Sequence, residues 1–137
     1  MESIIIKTPE QIEGIRRSSR LAAQALDFIS DYVKAGVTTA YLDQLIDDFI
    51  VRNGAVAATK GYNGFPKSCC ISPNEVVCHG IPSETIVLKE GDILNVDVTT
   101  ILDGYYGDTS RMFAVGEISA VARKLIEVTR HSLTLGI

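Results

Sequence analysis

Apolar and polar positions change their period along this chain, and each change marks an element. Apolar or small residues recur at Ile12, Ile15, Ser19, Ala22, Leu26, Ile29 and Val33, one stripe at helical spacing. Thr8-Pro9-Glu10-Gln11 is the start signal for that helix, with Thr8 as N-cap, Pro9 at the first helical position and Gln11 completing a capping box. Gly36 is expected to stop it. Thr38 caps a second helix that buries Leu42, Leu45, Ile46, Phe49 and Ile50 and ends at Asn53-Gly54. Asp43, Asp47 and Asp48 beside this second stripe read as a solvated face with no role.

Ala55 to Pro66 is small and Gly-rich, hence a loop. Ser68 to Ile71 reads as a short strand and Ser72-Pro73-Asn74 as a turn. Glu75 to His79 is expected to extend again until Gly80-Ile81-Pro82 breaks it. From Gly91 the period falls to two. Val96, Val98, Thr99 and Ile101 favour strand, as do Tyr105, Tyr106, Thr109 and Phe113, and Asp103-Gly104 between them fits a two-residue type I′ turn. From Ile118 the period is helical again, with Val121, Ala122, Leu125, Ile126, Thr129 and Leu133 on one side.

The turn fixes the hairpin register. Leu102 opposite Tyr105 puts Thr99 opposite Asp108 and Asp97 opposite Ser110. Asp97, Thr99 and Ile101 then share a face with Tyr106, Asp108 and Ser110. Asp97 and Asp108 become diagonal neighbours, roughly 7–8 Å apart at Cα. Two carboxylates leaning inward from there reach one cation, or two cations roughly 3.5–4 Å apart. Without a cation, acids on a buried face repel until one takes up a proton. Spacing alone leaves open a second reading, two ordinary acids on a solvated face.

Composition removes several functions. The chain has 137 residues, 46% of them hydrophobic and 22% charged, enough for one domain or half of a larger one and unlike a disordered segment. A net charge of −4 with scattered Lys and Arg offers no footprint for nucleic acid. No apolar run approaches a membrane span, and Ile4-Ile5-Ile6 is too short for a signal-peptide core, so a cytoplasmic protein is expected. Cys69, Cys70 and Cys78 are odd in number and lack C-x-x-C spacing, which fits reduced thiols rather than disulfides or structural zinc.

The runs NEVVCHGIP (Asn74 to Pro82), GDILNVDVT (Gly91 to Thr99) and DGYYGDTSRMF (Asp103 to Phe113) resemble the amino-terminal half of the type I methionine aminopeptidases. The GYNGFPKS loop at Gly61 to Ser68 and the helical opening match as well, so the resemblance covers the chain from about Ile6 onward. It implies an α+β fold, the amino-terminal half of a pita-bread (creatinase/aminopeptidase) fold, with an antiparallel sheet backed by helices. In that family two divalent metal ions are held by five side chains, and Asp97 and Asp108 fall on the first two. The carboxylates suit Co, Mn, Fe or Zn alike.

Other roles follow from the same resemblance. His79, in Cys78-His79-Gly80, takes the place of a catalytic histidine beside the scissile peptide and off the metals. Thr59, Tyr62, Phe65, Cys70 and Cys78, with His79, surround the substrate methionine. Thr59 often appears in the family as Cys and Phe65 as Tyr. His131, with no motif around it, reads as an ordinary helix residue.

The implied activity is metal-dependent removal of the amino-terminal methionine from nascent proteins, and the implied partners are peptides or nascent chains beginning with Met. Family members run to about twice this length. The expectation is therefore that residues 1–137 are the amino-terminal half of the catalytic domain with the other half absent. The remaining ligands, one His and two Glu, would then be missing, and metal binding and activity would be weak or lost. An apolar face exposed by the missing half would favour self-association. A non-catalytic binding module that kept the half-fold remains the alternative.

Overall fold

A computed structural model describes residues 4–137. The first three positions of the expected 1–137 unit lie outside the described residues. The first helix, α1, runs Pro9–Ile29, and α2 runs Thr39–Arg52. Four strands follow: β1 (Val56–Ala57), β2 (Cys70–Pro73), β3 (Ile93–Leu102) and β4 (Tyr105–Ala114), and α3 (Ala120–Gly136) closes the chain. All strand pairs are antiparallel. β4 covers one edge of β3 along its whole length, so β1 and β2 share the other edge end to end. The α+β architecture of an antiparallel sheet backed by helices is as expected.

The hairpin has the register that its turn dictates, Leu102 opposite Tyr105 through Ile93 opposite Ala114. Asp103 and Gly104 both have positive φ, 51° and 81°, as a type I′ turn requires. Along β3 burial alternates: Leu94, Val96, Val98 and Thr100 are buried toward the helices, and Asp97 and Thr99 point the other way. The core gathers Leu26, Ile29, Leu42, Ile46, Ile50 and Ile71 against these valines.

The α1 start is as read, with Thr8 and Gln11 exchanging capping-box bonds of 3.3 and 2.9 Å. Its buried face is as read only in part: Ala22, Leu26 and Ile29 are buried, but Ile12 is 45% exposed, and Gly14, Ser18, Leu21 and Ala25, which the stripe did not include, are buried too. Small residues win because the helix lies directly on the hairpin. A Cβ on Gly107 would stand 2.3 Å from the Ser18 carbonyl carbon, and one on Gly14 would stand 2.4 Å from Cδ2 of the Tyr105 ring. The Thr100 hydroxyl donates to Ser18 O at 2.9 Å, and the two hydroxyls sit 2.8 Å apart. The helix ends at Ile29, in a 3-10 turn over Ser30–Tyr32, well before Gly36.

Three further expectations need correction. The Ala55–Pro66 stretch contains β1, which pairs with Ile101 and Thr100. Glu75 to His79 forms no strand, because Asn74 (φ 50°) turns the chain away after Pro73 and its side chain bonds Asp92 and Ile93. Asp43 is buried and Asp47 half-buried, both bonded to the loop after β1 rather than solvated. The α3 helix has the expected pattern and no buried residue.

Candidate active site

The face of β3 and β4 turned away from α1 is the floor of a cavity of about 800 Å³. Asp97, Thr99, Tyr106 and Asp108 form that floor. Its walls are Ala58, Thr59, Tyr62, Phe65, Pro66, Cys70, His79 and Ile81. Seven of the eight residues singled out from sequence thus meet in one place. Cys78 does not line it: its side chain is exposed, next to His79.

Each wall has a local cause. Cys70 pairs with Asp97 in the β2–β3 ladder, which sets its thiol beside the carboxylates. Gly80 brings His79 in. Its carbonyl accepts from Ile71 N–H at 2.9 Å, its N–H donates to Ser72 Oγ at 3.1 Å, and a Cβ there would lie 2.1 Å from Ile71 O. Only glycine lets the chain run so close to β2. His79 itself sits at φ 54°, in the left-handed region that is uncommon for a residue other than glycine, and lines the cavity. Tyr62 and Phe65 come from a tight turn whose ends meet, Gly61 N–H donating to Phe65 O at 2.8 Å.

The two aspartates behave as a pair. Burial raises the Asp97 carboxyl above its ordinary 3.8, the charge of Asp108 and a hydrogen bond between the two carboxyls raise it further, and His79 works in the opposite sense. Repulsion that a proton relieves is equally relieved by a divalent cation, so this donor set suits one. Among the described residues no group of three or more His, Cys, Asp or Glu side chains gathers for a metal. Burial, then Asp97, pushes the Cys70 thiol up, which keeps it neutral and suited to an apolar wall.

Thr59 stands out on the opposite side. Its hydroxyl is buried and has no hydrogen-bond partner. Sequence reasoning missed Asp43 and Asp47, which hold the loop that carries Tyr62 and Phe65. The available signal was their i, i+4 spacing opposite two lysines in that loop, Lys60 and Lys67.

A carboxylate pair under an apolar, histidine-lined cavity on this sheet is an arrangement that suits a divalent cation. The chain matches the model of metallopeptidase family M24 over residues 13–137 and belongs to that family. Within it, the chain is 53% identical to the methionine aminopeptidase of Escherichia coli over 136 residues, 98% of this chain and 52% of that relative. The crystal structure of methionine aminopeptidase from Rickettsia prowazekii superposes with a TM-score of 0.96 at 50% identity, covering 98% of this chain and 54% of that one. The Thermotoga maritima methionine aminopeptidase gives 0.95 at 36% identity with the same coverages. The half pita-bread fold is thus established, and the chain spans about half the length of the relatives it matches.

Proposed function

We propose that this chain is the amino-terminal half of the catalytic domain of a methionine aminopeptidase, supplying the substrate cavity, the histidine and two carboxylates of its metal centre. The observation that carries this is the facing Asp97 and Asp108 carboxyls on the floor of the cavity lined by Thr59, Tyr62, Phe65, Cys70 and His79. Asp97 and Asp108 would hold two divalent cations, Co, Mn, Fe or Zn, together with ligands from outside this chain. When bound, such a pair lowers the pKa of a water and polarises the scissile carbonyl.

The chain's own residues do the rest. Tyr62 and Phe65 give aromatic contact and Cys70 a soft, neutral sulfur, surroundings that suit a thioether side chain. His79 reaches over the cavity from the loop and hydrogen-bonds the peptide group, stabilising charge as the bond breaks. The substrates are then nascent proteins beginning with Met. Three free cysteines agree with a cytoplasmic setting, and no described helix is long and apolar enough to cross a membrane.

A binding module with no chemistry is the weaker reading, because such a module has no use for two acids that repel. The test is turnover by the full-length protein that carries this chain. Asp97→Ala and Asp108→Ala should each abolish release of Met and deplete bound metal. His79→Ala should slow release by roughly 10²-fold or more and leave metal content intact. Metal lost from the His79 variant would overturn its assignment.

A further inference from the structure

Asp43 and Asp47 lie one turn apart on α2 and do not line the cavity, and the peptidase reading makes no use of them. Asp43 is only 6% exposed. A carboxylate that deep requires donors. It has Ser68 N–H at 2.8 Å, Cys69 N–H at 3.1 Å and the Cys69 thiol at 3.5 Å, with Lys67 Nζ at 3.9 Å. Asp47 accepts from Lys60 Nζ and from the Ser68 hydroxyl, both at 2.8 Å. All these donors belong to one segment, and they sit at its two ends.

The segment between them carries Tyr62 and Phe65 into the cavity wall. It holds its own shape: Phe65 N–H donates to Tyr62 O at 2.9 Å, and Gly61, Asn63 and Gly64 all take positive φ. Its packing is thin, since Tyr62 is 70% exposed and Phe65 only partly buried. A preformed turn with little packing beneath it goes where its ends are tied. Both ends are tied to successive turns of α2, and α2 is anchored in the core by Leu42, Ile46 and Ile50.

We propose that Asp43 and Asp47 are positioning residues that clamp the 60–69 segment to α2 and thereby set the width of the cavity and the side chain it accepts. The consequence for specificity rests on the peptidase reading; the clamp itself does not. Lys60→Met is the least invasive probe, because Lys60 is a surface residue whose loss opens no hole in the core.

Amide hydrogen exchange on the 137-residue chain tests the clamp. Lys60→Met and Asp47→Asn should each speed exchange at residues 61–66 about tenfold or more while amides 94–98 of β3 stay as they were. The double variant should do no more than Asp47→Asn alone, because Lys60 reaches α2 through Asp47. Equal acceleration in β3, or none at 61–66, overturns the clamp. The second arm is steady-state kinetics of the full-length protein. Lys60→Met should raise KM for Met substrates several-fold with kcat within twofold, and narrow the preference for Met over Phe at the first position. An unchanged preference overturns the specificity role. No release of Met by the unsubstituted protein overturns the peptidase reading and the specificity role together, and the exchange experiment still decides the clamp.

Discussion

Asp97 is partly buried and faces a second carboxyl, so ionisation is less favourable in the folded chain than in the unfolded one. A folded pKa raised above the unfolded value contributes stability that is complete below the unfolded value and is lost as pH rises through the folded one. Metal-free chain should therefore lose stability from about pH 4 toward neutrality. Asp43, raised chiefly by burial, acts with the same sign, and Asp47, held down by Lys60 and Ser68 against its own burial, acts with the opposite sign. Asp97→Asn should raise the neutral-pH melting temperature and flatten its pH dependence without abolishing it, as melting curves from pH 4 to 7.5 would show. A variant less stable than the parent at pH 7 contradicts the repulsion. Thr59 offers a second check at this scale. A buried hydroxyl without a partner costs about 1–3 kcal/mol, so Thr59→Val, of nearly equal shape, should stabilise by about 1 kcal/mol, or roughly 3–5 °C. Denaturant unfolding measures it directly, and destabilisation would mean that the hydroxyl has a partner after all.

Among the elements, contact between α1 and the hairpin depends on small residues more than on large ones. Adding a methyl at Gly107 drives Cβ into the backbone of Ser18 and Ser19, at 2.3 Å from each, where no side-chain rotation gives relief. Gly107→Ala should cost about 3 kcal/mol or more, since the helix must lift and the Ser18–Thr100 bonds stretch. A loss below about 1 kcal/mol would argue for a looser contact. The same contact explains what the sequence could and could not disclose. Alternation and Asp103-Gly104 made β3, β4 and their register legible, and with them the Asp97–Asp108 pairing. The buried face of α1 was legible at Ala22, Leu26 and Ile29 but not in its first turns, because a hydrophobic pattern ranks Ile12 above Gly14 and Ser18, and only the close approach of the hairpin reverses that order. Asp43 and Asp47 were misread for a related reason: their donors, Lys60, Ser68 and Cys69, lie 13 to 26 positions away. Family motifs supplied His79 and the cavity walls, which no periodicity would have disclosed.

At the scale of the molecule, α3 is the element without a partner. Val121, Leu125, Val128, Leu133 and Leu135 are each more than half exposed, and no residue of the helix is buried. An amphipathic helix gains most of its stability from packing its apolar face, and this one, unlike α1 and α2, buries no residue fully among the described residues and only Ala122 and Ile126 partly. In the 137-residue chain that face should find the face of a second copy, and light scattering should report a mass above that of the monomer. Leu125→Glu combined with Leu133→Glu should restore the monomer while leaving the melting of the sheet unchanged, whereas a monomeric parent would sink the idea. Self-association would not create a peptidase. Each copy brings Asp97 and Asp108, and no third ligand gathers with them among the described residues. Two carboxylates leave most positions around each cation to water, which makes binding weak. The chain alone should therefore release no Met from a Met-Ala-Ser peptide in added Mn or Co. Robust release, abolished by Asp108→Ala, would require that these residues build a complete centre among themselves.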